Sequence, residues 1–333
     1  MARVWFDKKV FTALLSLLIT TSFAQINIGI GYTPSLSVSP LFVGVGEAYL
    51  EDADIAAELS TFSTDFALVQ ALLAGELDAA YVDTGAVLLA ASEGVAIRIV
   101  AASNGNSVSF VADGDAAQYF TEDKTVAGAF RRYIEMEGRV VQIATSPSGS
   151  VPATVLQAWL ERENVPAEDV EIFYMNDAQL QRSLVTDAVD AVSMGEPNLS
   201  VALGALSEPQ MLASASELFA KQPGTVLIVR DEVISEQPEL VQRLVDAHSR
   251  AVNLLNTDAE RAAQHVQPFL GIFEPDVILE SLITMQGNFD ADPDNVLEGA
   301  RALQDVQLAA GILETEVVVD DLVDTAFYDA ANP

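Results

Sequence analysis

Two loops of the chain combine hydroxyls, backbone amides and a carboxylate in ways that suit binding of a small polar molecule. Residues 145–150 read T-S-P-S-G-S and lie between a predicted strand and a predicted helix. Their amides therefore stand at the positive end of a helix dipole, where an anion or a polar head group can bind. Helix N-capping by Ser148 or Ser150 is the alternative. In the second loop, Gly195-Glu196-Pro197, Glu196 could pair with a ligand amine, or be one solvated acid among 49.

Two matching loops occur in the first half of the chain. Tyr32-Thr33-Pro34 follows an alternating strand pattern, and Asp83-Thr84-Gly85 follows an apolar one. The Tyr32 ring could cover a ligand or could lie at the rim of a core. Because strand ends of α/β sheets line a common crevice, we expect these loops to face one ligand.

Residues for covalent or metal chemistry are scarce. The chain has no cysteine, and its two histidines, His248 and His265, lie in a predicted helical tail at a spacing that matches no metal motif. A lone histidine in such a helix is expected to be exposed or half-buried. Neither a Gly-x-Ser-x-Gly elbow nor a phosphate-binding Gly-Lys-Ser occurs. We therefore expect no catalytic residue, no metal and no cofactor.

One segment of the sequence occurs in two similar copies. Residues 64–82 align without a gap on residues 176–194, 112 positions later. Each copy predicts a helix capped by an aspartate (Asp65 or Asp177), a tight turn held by another (Asp78 or Asp190), and a short apolar strand. Two related α/β lobes are implied.

The remaining pattern alternates strands with helices and predicts two Rossmann-like lobes with largely parallel sheets. A late strand at residues 225–229 is expected to return to lobe one, and the helical region beyond Pro238 to pack on that lobe. Further strands are expected at residues 26–32, 55–62, 96–102, 138–145 and 170–175, and further helices at residues 40–50, 87–92 and 151–162.

Charge and the N-terminus indicate where the protein acts. The net charge is −33, from 49 acidic and 16 basic residues, which disfavours binding to nucleic acid. The acids are scattered, as expected for adaptation to high salt or for an acidic lineage without it. Arg3, Lys8 and Lys9 precede an apolar run at residues 10–19, which predicts a secretory signal over residues 1–24 rather than a longer membrane anchor. We expect a periplasmic or extracellular protein.

Several of these segments together resemble the substrate-binding proteins of ABC importers in the nitrate, sulfonate and taurine group (SsuA/TauA), which includes the NMT1/THI5-like thiamine-precursor binders. The resemblance covers residues 26–331 and is carried by residues 28–32, 77–85, 149–150, 189–191 and 196–197. In that family, Trp commonly precedes the Asp/Glu-Pro pair and an aromatic residue follows it. Here Gly195 and Asn198 stand in those places, so part of the usual pocket wall is missing.

The resemblance implies a two-lobed binder that closes on a small solute about a hinge and delivers it to an ABC permease and ATPase complex. Lobe one would comprise residues 25–107 and 224–333, and lobe two residues 108–223. The two-strand hinge would lie near residues 103–109 and 223–225. We expect a monomer.

The expected ligand-binding residues are the crevice-loop positions of both lobes. They are Tyr32, Thr33, Pro34, Phe62, Ser63, Asp83, Thr84, Gly85, Asn104, Ser146, Ser148, Gly149, Ser150, Asn176 and Glu196. No Lys or Arg occupies these loops, so a sulfonate or carboxylate would depend on amides, hydroxyls and helix dipoles. A taurine-like solute, a neutral or amine-bearing one, or a pyrimidine stacked on Tyr32 and Phe62 stays open.

Two other classes of function stay open beside a transport protein. A ligand-sensing module for a membrane receptor would share the same two lobes. The eukaryotic pyrimidine synthases resemble this family, but their chemistry needs a pyridoxal-bearing Lys and a reactive His in the cleft. The matching loops here contain neither.

Overall fold

The structure is a computed structural model that describes residues 25–122, 125–206 and 209–332. The predicted secretory signal at residues 1–24 lies outside the described residues. Within the described ranges, no helix has the length and apolar character needed to cross a membrane.

The strands fall close to the predicted positions. They are β1 (Ile26–Tyr32), β2 (Ile55–Thr61), β3 (Ala79–Asp83), β4 (Ile97–Ala102), β5 (Val108–Ala112), β6 (Val141–Thr145), β7 (Val170–Tyr174), β8 (Ala191–Gly195), β9 (Gln210–Ala213) and β10 (Thr225–Arg230). The sequence analysis did not predict β5 and β9. Both are short, and β5 follows a turn-rich segment that indicated only a connection between lobes.

The described strands form two sheets of the same topology. The order is β2-β1-β3-β10-β4 in the first sheet, which we call lobe one, and β7-β6-β8-β5-β9 in the second, lobe two. In each sheet four strands run in the same direction, and the fifth, β10 or β5, runs antiparallel to its two neighbours. The expected pair of α/β lobes is confirmed, as is the return of the late strand to lobe one.

Helices cover both sheets. They are α1 (Ser39–Gly46), α2 (Tyr49–Asp52), α3 (Asp65–Leu73), α4 (Thr84–Ser92), α5 (Gly114–Glu122), α6 (Val126–Glu137), α7 (Val151–Arg162), α8 (Asp177–Val185), α9 (Asn198–Ala205), α10 (Ala215–Leu218), α11 (Asp231–Glu236), α12 (Pro238–Thr257), α13 (Ala259–Val266), α14 (Pro275–Met285), α15 (Leu297–Ala309), α16 (Val319–Leu322) and α17 (Ala326–Ala331). The helical tail is confirmed. It differs from expectation because two of its helices also contact lobe two: α15 packs on α4 of lobe one and on α7 of lobe two, and α14 contacts α9.

The repeated segment has the same fold in both lobes. Helices α3 and α8, and strands β3 and β8, have bounds that differ by the 112-residue offset of the repeat. Asp78 accepts a hydrogen bond from Gly29 N in β1 (2.9 Å), and Asp190 accepts one from Gln142 N in β6 (2.7 Å). Both aspartates therefore fasten the repeated strand, β3 or β8, to its parallel neighbour, β1 or β6.

The prediction that Asp65 and Asp177 cap their helices is wrong by one residue. The N-cap of α3 is Thr64, whose Oγ1 accepts from Ala67 N at 3.2 Å. The N-cap of α8 is Asn176, which forms a capping box with Gln179. An extended residue with a short polar side chain can cap, and the residue before each aspartate already meets that condition.

Two chain crossings join the lobes side by side. Val108 N donates to Gln222 Oε1 (2.8 Å), and Gln222 Nε2 donates back to Val108 O (3.0 Å). Ser103 N donates to Thr225 O at 2.9 Å, and Gly105 bridges to Pro223. The two segments where the hinge is expected thus lie hydrogen-bonded to each other.

The expectation that His248 is exposed or half-buried is wrong. Its side chain is buried in α12, with Nδ1 2.7 Å from Tyr81 Oη and Nε2 2.6 Å from Ala102 O. Burial lowers the pKa of His248 to about 4. His248 therefore links α12 to the sheet of lobe one as a neutral ring, with Nε2–H donating to the carbonyl and Nδ1 accepting from the tyrosine.

His248 makes the stability of the fold sensitive to acid. The unfolded chain protonates this histidine near pH 6.5, whereas the folded chain resists protonation down to about pH 4. We expect the free energy of unfolding to be highest above pH 6.5 and to fall by roughly 3 kcal/mol between there and pH 4 because of this residue. Urea titrations across that range should show the fall in the wild type and a shallower one in His248→Gln. Equal slopes for the two proteins would contradict this role.

Candidate ligand-binding site between the lobes

The carboxyl ends of the parallel strands in the two lobes meet. Asp83, at the end of β3, caps its own helix α4 by accepting from Gly85 N at 2.9 Å. The same carboxylate also accepts from Val151 N, the first residue of α7 in lobe two, at 3.2 and 3.3 Å. One lobe-one side chain therefore accepts hydrogen bonds from the N-termini of α4 in lobe one and α7 in lobe two, and the predicted crevice loops 83–85 and 146–150 lie together.

A second residue, Gln307 of α15, ties the same two loops together. Its Nε2 donates to Gly149 O at 2.7 Å and more weakly to Gly85 O at 3.4 Å. The backbones approach so closely that a β-carbon on Gly85 would collide with Gly149 O. Gly149 itself has a φ of +88°, which explains a glycine in the turn that opens α7.

Asp65 organises the lobe-one side of the crevice. Thr33 Oγ1 donates to Asp65 Oδ1 (2.7 Å), and Asp83 N donates to Asp65 Oδ2 (2.8 Å). Burial raises the pKa of Asp65, and these two hydrogen bonds oppose that rise. The carboxylate therefore holds the loops after β1 and β3 in a fixed relation.

Glu196 makes another contact between lobes. It lies at the end of β8 before a cis peptide bond to Pro197. Its Oε2 accepts from Ser200 N (3.1 Å) and from Ser281 Oγ in α14 of lobe one (3.2 Å). Burial raises the pKa of Glu196, partly offset by these donors.

The other predicted residues of lobe one divide into buried and exposed positions. Tyr32 is only 5% exposed and packs edge-on against Phe42, with ring centroids 5.3 Å apart, so it belongs to the core rather than to an open ligand wall. Phe62 is half-buried, and Pro34 and Ser63 are exposed.

Thr84 and Asn104 form hydrogen bonds to the segments where the chain crosses between the lobes. Thr84 Oγ1 donates to Gly224 O at 2.6 Å. Asn104 Oδ1 accepts from Thr225 N (3.0 Å), and its Nδ2 donates to Ser37 Oγ (3.1 Å). Both side chains are buried, so their hydrogen bonds position the crossing segments beside the crevice.

In lobe two the serines of the predicted loop differ in role. Ser150 is the N-cap of α7, its Oγ accepting from Ala153 N at 3.4 Å. Ser146 is buried, whereas Ser148 is exposed at the tip of the loop. Asn176 is exposed and its side chain caps α8. Of the three serines, Ser148 is the most exposed.

Sequence analysis missed three residues that shape the crevice: Asp65, Ser281 and Gln307. Asp65 carried a signal, because an aspartate recurs at the same place in both copies of the repeat. Ser281 and Gln307 lie in the helical tail, far along the chain from the loops that they contact. Nothing in their local pattern distinguishes them from other polar residues of amphipathic helices.

The arrangement is suited to holding a molecule by hydrogen bonds and charge. Its polar groups are carboxylates, hydroxyls, a carboxamide and backbone amides. The histidines lie elsewhere, with His248 in the core of lobe one and His265 hydrogen-bonded to Glu47.

Comparison with known structures identifies the fold. The periplasmic nitrate-binding protein NrtA from Synechocystis PCC 6803 superposes with a TM-score of 0.78 at 13% identity, covering 92% of this chain and 88% of that one. The alkanesulfonate-binding protein SsuA from Xanthomonas axonopodis pv. citri, bound to MOPS, gives a TM-score of 0.72 at 18% identity, over 90% of this chain and 98% of that one. The fold is that of the two-lobed periplasmic binding proteins.

Sequence comparison shows the family to which the chain belongs. The model of the NMT1-like family matches residues 24–268, and the chain belongs to that family. A protein of Brucella abortus (strain 2308) that is named as a binding protein is 25% identical over 231 residues. That match spans 69% of this chain and 65% of the relative's length.

The close approach of Gly85 to Gly149 can be tested by adding one methyl group. In Gly85→Ala the β-carbon would meet backbone atoms of lobe two, so the lobes must move apart locally. We expect a loss of about 1–3 kcal/mol in the free energy of unfolding, as for other overpacked sites. Gly204→Ala is the matched control, because Gly204 lies in α9 with open space around it and should tolerate alanine. Similar unfolding midpoints for both variants would refute the contact.

Proposed function

We propose that the chain is an extracytoplasmic solute-binding protein that delivers a small organic solute to the permease and ATPase of an ABC transporter. The observation that carries this proposal is that crevice loops of both lobes converge on Asp83 and Gln307. A solute that touches loops of both lobes would favour the closed arrangement, because only contacts made to both lobes at once distinguish closed from open.

The family and its relatives support this function. NrtA is named for nitrate and SsuA for alkanesulfonates, and both share the two-lobed fold. A secretory signal over residues 1–24 would place the mature chain where such proteins meet their solutes. The scattered acids would keep it soluble in a salt-rich exterior, where screening reduces their mutual repulsion.

A binding role also fits the chemistry of the crevice better than an enzymatic one. The pyrimidine synthases that resemble this family need a reactive histidine in the cleft. Here His248 has both ring nitrogens engaged in the core of lobe one. The crevice loops offer hydrogen-bonding groups that can hold a solute and release it unchanged.

Ligand-driven closure can be measured directly because the chain has no native cysteine. Gln70 in α3 and Arg182 in α8 are exposed and occupy equivalent places in the repeat. Dyes on Gln70→Cys and Arg182→Cys should report the separation of the lobes by single-molecule energy transfer. We expect the solute recovered from the natively purified protein to narrow the distance distribution and shift it.

The control pair places both dyes on lobe one, at Gln70→Cys and Glu93→Cys, and should not respond to the solute. If no solute is recovered and the distance between lobes is the same in all conditions, the transport role is wrong. A shift that appears in both pairs would indicate unfolding rather than closure.

A further inference from the structure

The crevice loops carry acids and lack bases. Residues 33–35, 62–66, 83–85, 146–150, 175–176 and 195–198 contain no Lys or Arg, whereas Asp65, Asp83 and Glu196 lie among them. Asp65 and Asp83 lie together in lobe one, Glu196 follows the end of β8 in lobe two, and Asp83 and Glu196 each accept a hydrogen bond from the other lobe. If the proposed function holds, this charge bears on which solute the crevice accepts.

The position best suited to an anion is already taken by the protein. An oxyanion would be expected at the N-terminus of α7, where backbone amides and the helix dipole favour negative charge. The carboxylate of Asp83 occupies that position, accepting from Val151 N at 3.2 Å. A sulfonate or nitrate would have to displace Asp83 and would meet its negative charge.

Asp65 and Glu196 are held by neutral donors. Asp65 accepts from a threonine hydroxyl and a backbone amide, and Glu196 from a serine hydroxyl and a backbone amide. Burial raises the pKa of both. Burying a carboxylate away from water without a cation beside it costs free energy, and a positively charged partner would lower that cost.

An unpartnered acceptor lies at the two loops that Asp83 joins. Gln307 is fully buried between Gly85 and Gly149, and its Nε2 is used by their carbonyls. Among the described residues, no donor reaches Gln307 Oε1. A buried amide oxygen without a donor is unfavourable, so this group favours a ligand that brings an N–H or O–H.

We propose that the solute bears an amine or ammonium group, which Asp65 of lobe one and Glu196 of lobe two hold by charge, rather than being a simple oxyanion. This inference rests on the proposed function and names the chemical class of its solute. Each acid lies in a crevice loop of its own lobe, so a solute that contacted both acids would favour the closed arrangement of the lobes.

The first experiment identifies the solute and ranks probes. Mass spectrometry of molecules released from the natively purified protein should find a solute with a basic nitrogen. In thermal-shift measurements at constant high ionic strength, putrescine and ethanolamine should raise the melting temperature, and methanesulfonate and nitrate should not.

The second experiment uses variants that keep the shape of each side chain. We expect Asp65→Asn and Glu196→Gln each to weaken binding of the stabilising amine at least tenfold in calorimetry, the loss of one charge-assisted hydrogen bond. Glu93→Gln, on an exposed residue outside the crevice, should bind as the wild type does. Circular dichroism of Glu196→Gln, which keeps an acceptor for Ser281, separates lost binding from lost folding.

The outcomes separate the two proposals. Stabilisation by methanesulfonate or nitrate, or a released solute without a basic nitrogen, overturns the amine class and leaves the transport role standing. Amine binding that is equal in Asp65→Asn, Glu196→Gln and the wild type overturns the assignment of these carboxylates. If nothing is released and no probe shifts the melting temperature, the transport role fails, and the amine class with it.

Discussion

The packing of α15 against both lobes is the interaction on which the crevice depends. One apolar cluster includes Leu88 of α4, Val155 of α7 and Leu303 of α15, so a single core continues from lobe one into lobe two. Gln307 lies on the same helix and bridges the loops at the edge of that core. Apolar burial is non-directional, so the packing of α15 attracts the lobes to each other without fixing their alignment. The hydrogen bonds of Gln307 are directional, so they fix how the loops of the two lobes align.

Much of the fold could be predicted from the sequence because each lobe repeats the same local rules. The repeated segment, at residues 64–82 and 176–194, predicts a helix, a turn and a strand in each lobe. Its aspartates Asp78 and Asp190 make the same contact with a neighbouring strand. These contacts depend on residues whose types and spacing are visible in the chain. The NMT1-like resemblance then supplied the pairing of the lobes.

The site was harder to predict because its partners come from distant parts of the chain. Loops 83–85 and 146–150 were predicted to face one ligand, and the structure brings them into contact. Their neighbours Ser281 and Gln307 act only through tertiary packing, which no local pattern encodes. The burial of His248 is hard to predict for the same reason, since its two hydrogen-bond partners lie on strands of lobe one far away in sequence.

The sheet topology also constrains the order in which the lobes can fold. Strands β5–β9 of lobe two follow one another along the chain, so that sheet can form as soon as residue 213 has emerged. The sheet of lobe one waits for β10, which lies beyond all of lobe two. Long-range pairing of this kind is slow, because loop closure precedes any gain in contacts. Strands β1, β2 and β3 can pair with one another early, but they are joined to β4 only by β10, so lobe two provides the first complete sheet.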